Sequence, residues 1–385
     1  MPGADAPFDI RESPGPIDLF ITEVEQFGGA ERSLLALARW LHGHGRRVQV
    51  LCYVDRCGLG HYAEFPLPVK QLLPEGGSVV AKVRALRTYV RGLSKEGPRI
   101  LASGYQPALH LTLAGARGFH CLMHDTPALF SDAGSGGVKA KLRTAISNTI
   151  IGRGMRRGGT MIVTSEFLRD DCLREFGAPA VIARMGGLGA PRGFQRRLAV
   201  HELRLLSVCR IEANKRIEWM LESLAELERG PEPLSASIDW RLDLAGRGAL
   251  LQAMQARAQE LGLDARVTFH GFVPDTELER MYDRAHAFLM PAVQGYGIPA
   301  IEALERGLPV LLHRESGVSD ILLETPWAVV MRGGQEEMTP ALRKLIHLTR
   351  SETVLNAPEP VLPSEDGWAE QVALLCGYVG QGYIL

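Results

Sequence analysis

Four short stretches carry side chains able to hold a phosphorylated ligand. In VCRIEANKRIEWMLESL (208–224), Arg210 ends a strand and Lys215 begins a helix. A planar guanidinium fork and a point-charge ammonium at that junction suit a diphosphate. By spacing alone, two solvated surface cations are the better reading. In PAVQGYGIPAIEALERGLPVLLH (291–313), Gln294 lies at a strand end, Gly295 and Gly297 form a tight loop, and Pro299 suits the first turn of a helix. Glu302 falls one turn into that helix, where a carboxylate accepts from vicinal ribose hydroxyls or simply faces water. In QFGGAERSLLALARWL (26–41), Gly28 and Gly29 let backbone approach a ligand, and the helix they open offers free N–H groups to an anion. A plain turn with an N-cap reads the same way. The fourth stretch is His124-Asp125, after the apolar run 119–123. A histidine there can donate hydrogen bonds or protons at a strand end, or serve packing alone.

Two patterns exclude other chemistry. LAGRGALL (244–251) holds Gly246-x-Gly248 between a strand and a helix, but a third glycine is missing and the run RVTFHGF, about 20 residues on, carries no acid, so a dinucleotide-binding fingerprint fails. The chain has no Asp-x-Asp, so no carboxylate-held metal is expected for a diphosphate leaving group, and no other cofactor is indicated.

The elements that must position these residues follow from the apolar runs. IDLFIT (17–22), RVQVLCY (47–53), RILAS (99–103), FHCLMH (119–124), TMIVT (160–164), LRLLSV (203–208), RLDLAG (241–246), RVTFHG (266–271), AFLMP (287–291) and PVLLH (309–313) are continuous, as in strands buried on both faces. They alternate with amphipathic helical stretches, the first over about 29–42. That order predicts doubly wound parallel sheets, and the number of units is too great for one sheet. With 385 residues two domains are expected. The Gly- and Arg-rich stretch 185–197 is read as the linker, which gives a first domain over 1–195 and a second over 196–365. Ligands bind at the carboxyl ends of such strands and between such domains, so the chemistry is expected in a cleft.

Hydrophobic residues make up 46% and charged residues 23%, which excludes a disordered chain. No apolar run reaches the roughly 18 residues of a membrane span, and the start reads as a loose tail and not a signal peptide. Six scattered cysteines (Cys52, Cys57, Cys121, Cys172, Cys209, Cys376) lack metal-ligand spacing and predict a reducing cytoplasm. Residues 1–195 carry 24 Lys and Arg against 17 Asp and Glu, and the remainder 19 against 27. Within the basic half, 82–99 holds Lys82, Arg84, Arg87, Arg91, Lys95 and Arg99 against Glu96. Residues 138–158 hold Lys139, Lys141, Arg143, Arg153, Arg156 and Arg157 with no acid, together with Ile146, Ile150, Ile151 and Met155. A basic amphipathic stretch can lie on an anionic leaflet or be a solvated helix face. Nucleic acid is not expected, because aromatic residues barely interleave the charges.

Taken together and in order, these motifs resemble the family 4 retaining glycosyltransferases of GT-B fold over about residues 17–380. GGAER (28–32) resembles the family's N-terminal glycine loop, and VTSEFLRDD (163–171) its strand-Ser-helix step. CRIEANK (209–215) resembles Gly-Arg-x4-Lys with Cys209 in place of Gly. HGFVPDTELERMYDRAHAFLMPA (270–292) resembles the segment that cradles the base. QGYGIPAIE (294–302) resembles Glu-x7-Glu, with Gln294 in place of the first Glu. SGVSDIL (316–322) is similar to the helix that follows it, and DGWAEQVALLCGYV (366–379) to a terminal helix, about 366–385, that packs back on the first domain.

The resemblance implies two Rossmann-like domains and transfer of a hexosyl unit from a UDP- or GDP-sugar, with retention and without metal, to a saccharide or lipid-linked acceptor. It implies that Gly28 and Gly29 lie against the donor, that Arg210 and Lys215 neutralise the diphosphate, and that Glu302 binds the ribose. It places backbone at Phe272 and Val273 near the base. Gln294, Gly295, Tyr296, Gly297 and Ile298 then meet sugar and phosphate, and His124 the sugar near the reacting carbon. His124, Arg210, Lys215 and Gln294 are thus the expected catalytic set. The implied setting is surface-glycan biosynthesis at the inner face of the plasma membrane. The glutamine at 294 leaves two other readings open, a catalytically silent binding subunit and a nucleotide-sugar epimerase of the same fold.

Overall fold

The structure is a computed structural model that describes residues 16–25, 27–93, 100–127, 138–187, 193–322 and 325–380. The expected tail, Lys95, Glu96, Arg99, part of the expected linker and the last five residues lie outside the described residues.

The first sheet is built from β1 (Ile17–Phe20), β3 (Val48–Cys52), β5 (Val69–Gln71), β6 (Ile100–Ser103), β7 (His120–Met123), β8 (Met161–Val163) and β9 (Ala180–Ile182), while β2 (Glu23–Val24) pairs with β4 (Val54–Asp55) apart from it. Its order is β5-β3-β1-β6-β7-β8-β9, and β1 runs parallel to both β3 and β6. All four residues of β1 and of β6 are buried, which explains why these runs show no polar alternation. Asp18 is the exception inside β1. Its carboxylate accepts from Gln49 Nε2 at 2.6 Å and from Tyr89 Oη at 2.8 Å, so the charge is buried with partners.

The second sheet comprises β10 (Glu202–Val208), β11 (Asp239–Ala245), β12 (Val267–Gly271), β13 (Ala287–Met290), β14 (Val310–His313) and β15 (Ala328–Met331). Its order is β12-β11-β10-β13-β14-β15, and every pair is parallel. The chain winds from β10 outward through β11 and β12, then returns to the other side of β10 as β13. The switch point therefore lies between β10 and β13, where ligand sites of such sheets form. One face of the sheet is covered by helices Ile217–Arg229 and Met338–Arg350, whose Met220, Leu221, Leu224, Leu342 and Leu345 join Leu205, Trp240, Leu242 and Leu244 in one core. Two α/β units with parallel sheets are the fold class expected from the sequence.

Contacts divide the chain into residues 1–122, 146–161 and 372–385 in one compact unit, and 123–145 and 162–371 in the other. The described part of the terminal helix is Glu365–Leu375, and residues from Val372 on group with the first unit. Strands β2, β4, β5, β9 and β15 go beyond the apolar runs recognised in the sequence. Each of them has at least one residue that is not buried, unlike the central strands β1 and β6.

Trp240 anchors the second core. It is fully buried, donates its indole N–H to Glu228 Oε2 at 2.9 Å, and lies under the Arg266 guanidinium at 5.3 Å. Trp240→Ala is expected to lower unfolding free energy by about 3–5 kcal/mol, read as a fall in the urea midpoint. Trp240→Phe, which keeps an aromatic ring and loses the N–H, should lose less. Equal midpoints for wild type and Trp240→Ala would contradict this packing.

Candidate functional site

Three loops leave the carboxyl ends of β10, β13 and β14 and are fastened to one another. After β10 the chain makes a 3-10 turn, Ala213–Lys215, before helix Ile217–Arg229 begins. The sequence had Lys215 opening that helix. Instead Arg216 intervenes at φ 53°, the only non-glycine residue with positive φ among the described residues. That conformation costs roughly 1–2 kcal/mol for an L-residue. It is held by the Arg216 guanidinium, which donates to Glu315 Oε2 at 2.5 Å and stacks on Trp219 at 4.3 Å. Asn214 Nδ2 donates to the Val293 carbonyl at 3.0 Å, and Val293 N–H donates to the Asn214 carbonyl at 2.9 Å. Gln294 N–H donates to the Glu315 carbonyl at 3.0 Å, and Gln294 forms a parallel bridge with Ser316.

This fastening brings Lys215 to Gln294. The ammonium donates to Gln294 Oε1 at 2.7 Å. Gln294 Nε2 donates to Ser316 Oγ at 3.0 Å and also faces Met290 Sδ at 3.0 Å. Ser316 Oγ donates in turn to the Tyr296 carbonyl at 3.0 Å. Gln294 is 7% exposed, so both ends of its amide are spent inside the protein. Burial pulls the Lys215 ammonium below the ordinary lysine range, with the neighbouring Cys209 and Asp125 opposing that shift.

The segment 294–298 is sharply constrained. A Cβ on Gly295 would overlap the His124 carbonyl oxygen, so only glycine lets these two backbones meet. The Gly295 carbonyl accepts from Ser165 Oγ at 2.9 Å and Thr164 Oγ1 at 3.4 Å. Tyr296 is buried and donates its hydroxyl to the Met185 carbonyl at 2.5 Å; burial pushes its phenol well above the usual range. Gly297 caps helix Ile298–Leu304, and Pro299 sits in its first turn. Glu302 lies in this helix and accepts from Tyr282 Oη at 3.1 Å. His124, at the end of β7, is held below the usual imidazole range by burial, against the opposing charge of Asp125.

Among the described residues, the remaining expected ones make no hydrogen bond to this cluster. Arg210 is exposed and donates to Glu212 at 3.0 Å. Phe272, beside Val273, is 67% exposed and carries the Arg247 guanidinium at 5.5 Å from its ring. Gly28 and Gly29 belong to the other compact unit. Gly28 caps helix Gly29–Gly43, and its N–H is taken by the carboxylate of Glu31 at 3.0 Å. The segment expected as a helix after 315 is a 3-10 turn, Gly317–Ile321. Its Asp320 accepts from Arg184 at 2.5 Å and from Glu166 N–H at 2.8 Å, which ties it to the start of helix Glu166–Phe176.

The sequence reading did not single out Asn214, Arg216, Glu315 or Ser316, and it reached Ser165 only as the serine of the strand-Ser-helix step. Ser165 has a local signal, since it precedes a helix and accepts from Leu168 N–H at 3.2 Å as an N-cap. Asn214 meets Val293 across 79 positions, Arg216 meets Glu315 across 99 and Ser316 meets Gln294 across 22, which no local pattern reveals. Gly246 resolves the incomplete dinucleotide motif. At φ 141° a side chain there would overlap the Cys209 carbonyl, so that glycine serves strand-to-loop packing. Among the described residues no three His, Cys, Asp or Glu side chains gather in a way that could hold a metal.

Against known proteins, residues 27–184 match the Glycosyltransferase Family 4 model and 194–356 match Glycosyl transferases group 1. The GDP-mannose-dependent alpha-(1-6)-phosphatidylinositol monomannoside mannosyltransferase of Mycolicibacterium smegmatis is 29% identical over 137 residues, which are 34% of each chain. The chain thus spans about a third of the length of that relative. Among solved structures, WaaG, a glycosyltransferase involved in lipopolysaccharide biosynthesis, superposes with a TM-score of 0.67 at 16% identity, over 95% of this chain and all of that one. HepE of Anabaena in complex with UDP superposes with a TM-score of 0.65 at 14% identity, over 94% and 100%. With two family models spanning most of its length and a fold like that of these neighbours, the chain belongs to the family 4 glycosyltransferases of GT-B fold.

Proposed function

We propose that this protein transfers a hexosyl unit from a nucleoside-diphosphate sugar to a saccharide or lipid-linked acceptor, with retention and without metal, in surface-glycan biosynthesis. The observation that carries the proposal is Lys215 bonded to Gln294 at the switch point of the second sheet, where the glycine loop 295–297 leads into the helix that holds Glu302. The solved complex of HepE with UDP and the GDP-mannose dependence of the mycolicibacterial relative support a nucleotide-bound donor.

In the proposed reaction the bond between the anomeric carbon and the diphosphate oxygen breaks, and its electron pair leaves with the diphosphate. The acceptor oxygen bonds the anomeric carbon on the same face, and its proton passes to the departing phosphate oxygen. Lys215 and Arg210 stabilise the charge that develops on the leaving group. Glu302 accepts from the ribose hydroxyls, and Phe272 and Val273 border the base. His124 and the loop Gly295–Ile298 orient the sugar.

A panel of UDP, GDP, ADP and their sugars, in chelator, tests the donor site by thermal shift. A ligand at about 100 times its Kd adds about 2.7 kcal/mol to the folded state. One nucleotide should therefore raise Tm by several degrees, and Arg210→Ala and Glu302→Ala should abolish the shift. Transfer of that sugar to acceptor then establishes the enzyme. Stabilisation without any turnover would instead identify a silent binding subunit, and sugar conversion without acceptor an epimerase.

The acceptor side is proposed to meet an anionic membrane. Helix Val138–Met155 exposes Val138 (84%), Leu142 (60%) and Ile146 (52%) at four-residue spacing. Lys139, Lys141, Arg143 and Arg153 are exposed on the same helix, which has no acid. Helix Val79–Gly92 adds exposed Arg84, Arg87 and Arg91, with Val79 and Val80 at its start. Apolar side chains flanked by cations suit the headgroup region. Vesicles with anionic lipid should bind the protein at low salt and release it at high salt. Equal binding to neutral vesicles would overturn the electrostatic basis.

A further inference from the structure

Where the family resemblance expects a carboxylate, this chain has Gln294, and its surroundings are matched to an amide. The hydrogen bonds around it run in one direction. Lys215 can only donate, so the glutamine carbonyl must face it, at 2.7 Å. The amide NH2 must then face Ser316 Oγ and Met290 Sδ, each at 3.0 Å. Having accepted from Gln294, Ser316 sends its own proton to the Tyr296 carbonyl. Ser316 is fully buried, so water cannot repair a break in this chain.

A carboxylate at 294 would reverse the order. Its second oxygen would meet a thioether sulfur that has no proton to give. It would also draw the Ser316 hydroxyl away from Tyr296. The local structure is therefore complementary to a neutral acceptor, and the glutamine is built in.

The charges around Lys215 complete the argument. The groups acting on its ammonium are the carboxylates of Asp125 and Glu212, the guanidinium of Arg210 and the thiol of Cys209. Gln294 touches the ammonium and adds no charge to this set.

We propose that Gln294 is a positioning residue: it aims the Lys215 ammonium through its carbonyl while leaving that positive charge available to an anionic group of the ligand. The proposal rests on the donor-site reading only for the identity of that anionic group, the departing diphosphate.

The test measures Lys215 itself. Competitive acetylation with acetic anhydride across a pH series, read by mass spectrometry, gives the protonation midpoint of Lys215 without any turnover. In wild type that midpoint lies below the ordinary lysine range. In Gln294→Glu a carboxylate contacts the ammonium, and the midpoint should rise by about 1–3 pH units. Where turnover is found, kcat should fall in that variant, and the alkaline limb of its pH profile should move up with the labelling midpoint. Activity needs the ammonium, so it is lost as pH rises through that midpoint. Gln294→Met keeps neutrality and size but removes the carbonyl, so the midpoint should fall below wild type. It also reads the proposal should Gln294→Glu fail to fold. Midpoints unchanged in the folded variants would overturn the positioning role. Failure of every nucleotide sugar to turn over would count against the proposed reaction and leave the labelling result standing.

Discussion

The hydrogen bond from Lys215 to Gln294 links the two loops that leave the second sheet on either side of its switch point, beside the paired bonds of Asn214 and Val293. Much of the local architecture holds those two groups 2.7 Å apart. A lysine has four rotatable bonds, and ordering it costs up to about 2 kcal/mol of side-chain entropy. An exposed lysine would rarely stay in one place. Here its backbone is fixed by a left-handed Arg216 on one side and by the Asn214–Val293 pair on the other. The partner is fixed as well, because Gln294 is bonded through its main chain to Glu315 and through its amide to Ser316. Three loops that would each move separately become one block.

The strain at Arg216 belongs to the same arrangement. Arg216 is where the 3-10 turn stops and the following helix begins. The guanidinium offsets the strain through Glu315, and Glu315 lies on the loop that bonds Gln294. His313 is a quieter contributor. Its Nε2 bonds the Gly333 carbonyl at 2.9 Å, which leaves Nδ1 to accept from Glu315 N–H at 3.2 Å. Burial favours that neutral form by lowering the imidazole pKa. A neutral ring leaves the Glu315 carboxylate to Arg216.

How much of this was legible in the sequence follows from distance along the chain. Buried parallel strands declare themselves by unbroken apolar residues, so β1, β6, β10 and β13 were found to within two residues at either end. Helix starts marked by Gly28 or Gly297 were legible because capping is local. What joins the site is not local. Ser316 matters only because Gln294 reaches it from 22 positions away, and Arg216 because Glu315 lies 99 positions on. The glutamine itself was visible as a departure from a motif, yet its meaning was not. One residue type cannot tell whether its surroundings accept a charge, and the direction of the chain through Ser316 to Tyr296 decides that.

Net charge was the weakest guide to the site. The second half is acidic overall, 27 Asp and Glu against 19 Lys and Arg, yet its switch point presents cations. Glu212 and Glu315 pair with Arg210 and Arg216 at these loops, and other acids are engaged elsewhere. On helix Ile217–Arg229, Glu222 is paired with Arg257 at 2.5 Å, Glu226 accepts from Thr339 at 2.6 Å, and Glu228 accepts from Trp240 at 2.9 Å. These bonds hold the sheet's helices in register and keep negative charge in place around the core's edge. An anion approaching the loops feels the nearest unsatisfied charges far more than the sum over the half, because screening removes distant exposed ones within about 10 Å. A neutral glutamine at the centre therefore changes the local field more than the overall balance of eight acids does. The chemistry of the site is set by which charges are left unpaired, not by how many there are.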